Sequence, residues 1–409
     1  MKNTLFKMSA KKSHIVMVSI SLGTNEFTHN NILKHISENQ EKITHLTIAN
    51  EECTNIEENA LVGLRLDNLQ NIEFIGVLRN LNASLFYELP SLKFIRLYNN
   101  KLEKISANTF NGLRSLTELN LKSNKLTKLE AHTFADLAFL KDLDLSYNEI
   151  TSIDVNLFSG LYSLEVLNLS SNKLTNTIAK SLNSLRTLKS LLLQNNQITQ
   201  LDFNSIRQLK NLERIELSNN PLKTMSNSSD SDATIFKHLK YLVADRCKIK
   251  YIEATMFKGI DQLVSLNLSE NFVASIRNNS FLKLNRLEEL YLNENIIESI
   301  EAKSFRGLLL LEKLFLNNNE IEYIDHDSFN GLGCLKELNL NHNKIISLDS
   351  VNMKNMVNLK TFSISENELS SFNFCNNFDQ LKKLEHLDLR YFNLNFFKIS
   401  PKNIVTFLN

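Results

Sequence analysis

Leucines recur at fixed positions along most of the chain. A pattern of apolar residues that starts at Leu92 begins again at Leu116 and Leu140, so the period is 24 residues (116 minus 92). Later units start at Leu164, Leu188, Leu212, Leu239, Leu263, Leu287, Leu311, Leu335 and Leu359, with a three-residue insertion before Leu239. Such a period indicates one structural unit used many times, in which each copy buries its apolar side against its neighbours.

Within each unit, the alternation of apolar and polar residues predicts a short β-strand. Leu290 and Leu292 are separated by one residue and therefore point to the same side of a strand, whereas Tyr291 points to the other. One strand from each unit, stacked on the next, predicts a parallel sheet with a buried leucine side and an exposed side. We expect the stability of such an array to be collective, because a lone strand has nowhere to bury its leucines.

Two further positions are constant from unit to unit. An asparagine follows each strand, and its amide can satisfy backbone groups that the bend leaves unpaired. These residues are Asn100, Asn124, Asn148, Asn172, Asn196, Asn220, Asn271, Asn295, Asn319, Asn343 and Asn367, with Cys247 in the same position of one unit. On the return segment we expect a buried apolar spine made of Phe110, Phe134, Phe158, Phe257, Phe281, Phe305 and Phe329, replaced in other units by Leu182, Ile206 and Met353.

The units match the motif L-x-x-L-x-L-x-x-N/C-x-L, for example at Leu290, Leu292, Asn295 and Ile297. Over about nine-tenths of its length the chain resembles the leucine-rich repeat family. The resemblance implies an α/β-type repeat solenoid, a leucine-rich-repeat horseshoe with a parallel concave β-sheet and an irregular or short-helical convex side. About 15 repeats are expected, counting weaker copies near both ends.

The repeat pattern divides the chain into three segments. We predict a solenoid over residues 43–397. The N-terminal segment, 1–42, alternates in a way that favours a capping strand or helix; a weak secretory leader is the alternative, because basic residues precede the apolar run 15–22. Residues 398–409 are predicted to form an apolar, uncapped tail, so either this tail folds over the last strand or the natural chain is longer.

Composition and charge argue against several classes of function. The 46 Lys+Arg and 45 Asp+Glu give a net charge of +1, which favours neither nucleic acid nor an anionic membrane. No segment approaches the ~20 apolar residues of a membrane span. The nine histidines show no metal spacing and no enzyme motif is present, so we predict no catalysis, metal or cofactor. Cys53 and Cys247 fall on buried positions, whereas Cys334 and Cys375 could pair or remain free.

Without catalytic motifs, function is expected on the exposed face of the concave sheet. Tyr291 and Phe315 fall on adjacent strands, and exposed aromatic and Arg side chains are enriched at binding hot spots. We predict a partner-binding patch made of Tyr241, Val243, Arg246, Tyr291 and Phe315, and a second patch made of Phe94, Arg96 and Tyr98. The alternative is that a curved sheet simply tolerates aromatic residues at these positions.

The 24-residue unit is similar to that of Toll-type receptor ectodomains and of secreted insect leucine-rich-repeat immune proteins. This resemblance implies extracellular recognition of a protein ligand, with a glycan ligand or a homo- or heterodimer as options, in an innate-immune or receptor-like role. If the chain is secreted, Asn82, Asn278 and Asn227, which lies in the polar insertion 226–234, are predicted glycosylation sites. The Cys clusters that usually flank extracellular repeats are absent, so a cytoplasmic scaffold or regulatory subunit is an alternative, and a matrix or adhesion protein is another.

Overall fold

A computed structural model describes residues 6–9, 16–21, 26–36, 40–50, 54–228, 233–370 and 380–390, and every structural statement below concerns these residues. The chain forms two compact units. The first contains the residues up to Gln197 together with Gln208–Leu212, and the second contains Ile198–Arg207 together with the residues from Glu213 onward.

The first unit contains a sheet of parallel strands, one from each turn of the chain. In the regular turns, each strand residue pairs with the residue 24 positions later in the chain, as where Leu119 lies opposite Leu143. One more strand, Phe6–Ser9, pairs antiparallel with the first parallel strand. The parallel strands are Val16–Ser21, His45–Asn50, Asn71–Gly76, Phe94–Arg96, Glu118–Asn120, Asp142–Asp144, Val166–Asn168 and Ser190–Leu192.

The second unit repeats this arrangement. Its strands all pair in parallel, and the insertion shifts one register to 27 residues, since Ile215 lies opposite Leu242. The strands are Arg214–Glu216, Tyr241–Val243, Ser265–Asn267, Glu289–Tyr291, Lys313–Phe315, Glu337–Asn339, Thr361–Ser363 and His386–Asp388. In both units we call this sheet the main sheet, and its side opposite the buried leucines the main-sheet face.

Short paired strands and a few short helices make up the rest of each turn. The paired strands are Glu26–Phe27 with Asn55–Ile56, Asn80–Leu81 with Lys104–Ile105, Gln200–Asp202 with Thr224–Ser226, Tyr251–Ile252 with Ser275–Ile276, and Ser299–Ile300 with Tyr323–Ile324. The described helices are the α-helix His29–Leu33 and the 3-10 helices Gln40–Lys42, Asn176–Ser184 and Phe203–Ile206. The predicted fold class, a parallel-sheet repeat solenoid with little helix, is confirmed, with about 14 turns.

The buried asparagines join successive turns as predicted. The Asn295 Nδ2 donates to the carbonyls of Leu268 in the preceding turn, at 3.0 Å, and of Leu292 in its own turn, at 3.1 Å. Its Oδ1 accepts from the Val273 N–H at 3.0 Å. The same bonding pattern recurs along the asparagine ladder, so backbone groups left unpaired at each bend are satisfied by one side chain. At Cys247 the thiol lies 3.5 Å from the Leu217 carbonyl oxygen instead.

The predicted phenylalanine spine is also confirmed. Phe281 and Phe305 are both fully buried, with ring centroids 6.3 Å apart and ring planes 13° from parallel, and Phe329 continues the stack at 6.0 Å. The sequence reading missed Phe236, which is buried and meets Phe203 edge to face at 6.2 Å. The insertion shifts Phe236 out of the 24-residue frame, and this explains why it was missed.

Several expectations fall at the ends of the chain. The strand Val16–Ser21 pairs in parallel with His45–Asn50, which adds it to the main sheet of the first unit. The predicted segment limits, at residues 42 and 397, and the leader alternative stay predictions. The tail 398–409, Cys53 and Cys375 lie outside the described residues.

Candidate protein-binding face

Tyr291 and Phe315 form a stacked pair on the main-sheet face of the second unit. They are opposite each other in the pairing of strands Glu289–Tyr291 and Lys313–Phe315. Their ring centroids are 4.9 Å apart and the ring planes lie 8° from parallel. Both side chains are half-buried, so each ring keeps an open surface. The structure therefore brings these two predicted residues into direct contact.

Charged groups beside this stack neutralise one another. The Lys313 Nζ donates to Glu289 Oε1 at 2.8 Å, and the Tyr291 hydroxyl donates to Glu289 Oε2 at 3.1 Å. The hydrogen bond from Lys313 lowers the pKa of Glu289, whereas burial, followed by the Glu289 charge, raises the pKa of Tyr291. Tyr291 thus stays a neutral hydrogen-bonded phenol, and the face of the stack is apolar.

Tyr241 and Val243 lie on the same face but do not touch the stack. The strand Ser265–Asn267 runs between them and Tyr291, so Asn267 separates Val243 from Tyr291 in the central row. The Arg214 guanidinium lies 5.5 Å from the centroid of the Tyr241 ring, and its Nε donates to Glu216 Oε1 at 2.7 Å. The first predicted patch is therefore two apolar sites with a polar strand between them.

Arg246 lies beyond the strand, at the turn that precedes Cys247. Its backbone is in the left-handed region, with φ of 51°, as it is at the equivalent position of the neighbouring regular turns. Its Nε lies 3.1 Å from Asp245 Oδ2 and 3.0 Å from Glu270 Oε1. Arg246 is therefore held at the edge of the face by two carboxylates.

The second predicted patch lies on the strand Phe94–Arg96 of the first unit and on the turn just after it. The Arg96 guanidinium lies 5.6 Å from the Phe94 ring centroid, and its Nη2 is 3.8 Å from Glu118 Oε1. The Tyr98 hydroxyl donates to Glu73 Oε1 at 2.5 Å, and this hydrogen bond raises the pKa of Tyr98. All three predicted residues are half-buried.

The sequence reading passed over a strip of carboxylates on the main-sheet face of the first unit. Glu118 and Asp142 lie opposite each other on paired strands, and Asp144 projects from the same strand as Asp142. Burial, followed by the charges of Glu118 and Asp144, raises the pKa of Asp142. Glu118 and Asp142 are 24 residues apart and occupy equivalent positions of successive turns, so a comparison of these positions in the sequence would have revealed the strip.

The three predicted glycan acceptors differ in accessibility. The Asn278 side chain is exposed. The Asn82 Nδ2 donates to the Ile56 carbonyl at 2.8 Å and is half-buried. Asn227 is only 8% exposed, and its Nδ2 donates to the Lys258 carbonyl at 3.1 Å. A glycan on Asn227 would require that side chain to leave its buried position, so Asn278 is the most accessible of the three.

Among the described residues, no group of His, Cys, Asp and Glu has the arrangement of a metal site. Likewise, no helix in this part of the chain has the length and apolar character needed to cross a membrane. Cys247 is a buried free thiol, and Cys334 is a half-buried free thiol on a return segment. Burial raises the pKa of Cys247 to about 11.

The sequence profile of the leucine rich repeat family matches residues 76–126, 114–174, 237–297, 285–345 and 334–394, which together make up more than half of the chain. The chain belongs to the leucine-rich repeat family. Proteins of this leucine-rich repeat fold are in general recognition modules without catalytic activity, and the fold supports protein partners. A comparison with curated proteins finds no match.

Solved structures share the fold over most of this leucine-rich repeat chain. A leucine-rich-repeat protein of Leptospira interrogans gives a TM-score of 0.69 at 24% identity, covering 88% of this chain and 86% of that one. TLR13, solved in complex with ssRNA13, gives 0.72 at 25% identity, covering 91% of this chain and 57% of its own. A chain of the Drosophila Toll–Spätzle complex gives 0.62 at 19% identity, covering 92% and 61%. This chain thus spans less than two thirds of the TLR13 and Toll-complex chains.

Proposed function

We propose that this leucine-rich-repeat chain is a non-enzymatic recognition module that binds a protein partner on its main-sheet face, with Tyr291 and Phe315 as the central contact. The parallel stack at 4.9 Å is the observation that carries the proposal. Because each ring already holds the other in place, the two rings lose little side-chain entropy when a partner covers them. Large, rigid aromatic side chains of this kind dominate binding energy at protein interfaces.

The charges around the stack favour a protein over a nucleic acid. The ion pair of Lys313 and Glu289 borders the rings, as expected of the polar rim around an apolar contact. In the first unit the same face carries Glu118, Asp142 and Asp144. Nucleic-acid binding requires cations for the phosphates, and carboxylates repel them.

A double variant tests this site. Tyr291→Ser with Phe315→Ser removes both rings from the exposed face while leaving the buried leucines in place. As a matched control, Val166→Ser with Leu192→Ser removes two half-buried apolar side chains from the face of the first unit. Proteins secreted by cells of the source organism are captured on the wild-type chain and on both variants, and are quantified by mass spectrometry, with folding checked by circular dichroism.

We expect a specific set of proteins to bind to the wild type and to the control but to be depleted at least tenfold on the Tyr291/Phe315 variant. Equal capture by all three folded chains would reject the main-sheet face around Tyr291 as the site. Loss on the control alone would move the site to the first unit.

We further propose an extracellular, receptor-like or innate-immune setting, supported by the likeness to the Toll–Spätzle complex, which is named for development and innate immunity. Passage through the secretory pathway would glycosylate Asn278, the exposed acceptor. Expression with a secretory leader in animal cells, followed by glycosidase digestion, should therefore show a mobility shift that Asn278→Gln removes. If the chain is secreted with this leader but carries no glycan, or if it folds only when it is expressed without the leader in the cytoplasm, the alternative of an intracellular scaffold would be favoured.

A further inference from the structure

A second exposed apolar surface lies in the second unit, away from the main-sheet face. It occupies the two positions that precede the first leucine of each turn, at the edge where the chain enters its strand. Leu309 is 58% exposed, Leu310 46% and Val357 50%. The turn between them carries Gly333 and the half-buried Cys334 at the same positions. We call these five residues the edge patch.

The residue at the centre of the edge patch is a glycine. Gly333 has no side chain, and the Asn358 Nδ2 donates to the Gly333 carbonyl at 2.7 Å, which fixes this backbone against the next turn. Turns are stacked ~4.8 Å apart, so the backbones of Leu309 and Val357 are about two strand spacings apart, with Gly333 between them. A side-chain carbon placed over Gly333 would lie 3.7 Å from the Asn355 carbonyl oxygen, so a partner side chain that enters here would rest against this backbone.

Cations surround the edge patch. Arg286 precedes it by one turn, Arg306 and Lys354 lie beside it on the return segments, and Lys382 and Lys383 follow in the next turn. All five side chains are exposed, and none of them forms an ion pair within the described residues. By contrast, the neighbouring Lys336 and Lys360 are paired with Glu312 and Glu385. The positive charge at the rim is therefore not compensated by an ion pair among the described residues.

We propose that the edge patch is a docking site for an acidic protein segment that places one apolar side chain between Leu309 and Val357 and its carboxylates on the surrounding cations. Charge complementarity selects this partner, because an apolar surface with an uncompensated cationic rim attracts an apolar segment that carries the opposite charge. This surface is separate from Tyr291 and Phe315, so it does not depend on the main-sheet proposal.

The test selects peptides from a random library displayed on phage, using the full-length chain as bait. We expect the enriched peptides to carry Asp or Glu on both sides of a Leu, Ile, Met or Phe. Leu309→Ser with Val357→Ser should weaken the binding of a synthetic enriched peptide at least tenfold. Lys354→Glu with Lys382→Glu should weaken it by a similar factor, and binding should fall as salt is raised.

Two matched controls separate this site from other surfaces. Phe139→Ser with Tyr162→Ser removes side chains that are 61% and 72% exposed at the equivalent edge of the first unit, and should leave peptide binding unchanged. Tyr291→Ser with Phe315→Ser should also leave it unchanged. As a direct readout, bound peptide should slow alkylation of Cys334, mapped by mass spectrometry.

Three outcomes would overturn the proposal. Enriched peptides that carry no acidic residues, yet lose binding to the chain with Leu309→Ser and Val357→Ser, would reject the charge argument. Binding to anionic vesicles but to no peptide would assign the patch to membranes. Sedimentation showing a dimer of the wild type that Leu309→Ser with Val357→Ser dissociates would assign it to a second copy of the chain.

Discussion

Residues inside each turn vary little from one turn to the next, whereas residues on the main-sheet face vary widely. Inside, Asn295 and Phe305 are copies of residues in the turns before and after, because each must make the same contacts in every turn. On the face, the row that carries Tyr291 and Phe315 in the second unit carries Asp144 in the first. The interior positions are constrained by neighbouring turns, whereas the face positions are free to differ, and the face can therefore carry specificity without any change of frame.

The largest expected difference between the two regions concerns phenylalanine. Phe305→Ala removes a fully buried ring from the spine, and should lower the free energy of unfolding by about 3–5 kcal/mol. Phe139→Ala removes a ring that is 61% exposed, and should change it by no more than about 0.5 kcal/mol. Denaturant titration followed by circular dichroism compares them. Equal losses would mean that the spine is not the stabilising element.

The asparagine ladder should show a smaller effect of the same kind. Asn295→Ala leaves the Val273 N–H without its acceptor, whereas the Leu268 carbonyl keeps the hydrogen bond from Asn271. An unpaired buried group costs about 1–3 kcal/mol. Hydrogen exchange at Val273 should become faster, while the exposed Asn278→Ala should alter neither stability nor exchange. Unchanged protection at Val273 would show that water replaces the side chain at no cost.

The two cysteines placed by the structure should differ in reactivity. Thiolate is the reactive form, and the pKa of about 11 keeps the Cys247 thiol protonated at pH 8. Burial of this thiol also keeps the reagent away from it. Cys334 is half-buried and should be alkylated first. Mass spectrometry after timed alkylation of the folded chain measures this, and in denaturant the two should react at similar rates. Early modification of Cys247 in folded protein would contradict its buried position.

The smallest effect is expected on the acidic strip of the face. Asp142 has a raised pKa, so the folded state binds its proton more tightly, and stability falls as pH rises from the usual range of Asp, ~3.9, through the raised value. Asp142→Asn should therefore be slightly more stable than wild type at neutral pH, and this gain should vanish below the usual pKa. Melting temperatures of the wild type and of Asp142→Asn, measured across this pH range, test the prediction. The exposed Asp67→Asn serves as the control, and a gain of equal size there would exclude a local cause.

Sequence alone was sufficient for the frame because the frame is periodic. Asn295 and Phe305 are identified by their copies 24 residues away, but Phe236 was missed since the insertion breaks that spacing. The face offers no such redundancy. Spacing placed Tyr291 beside Phe315, yet it could not show that Arg246 is bound by Asp245 and Glu270, because those contacts depend on the bend after the strand.

The reach of the asparagine bonds also sets how the length of this molecule can change. Asn295 bonds only to its own turn and to the one before it. A whole 24-residue turn could therefore be duplicated or deleted and every interior contact would form again with a new neighbour. Each copy lengthens the main sheet by one strand spacing, ~4.8 Å. The span of the surface offered to a partner is thus set by gene duplication, independently of the residues that give that surface its chemistry.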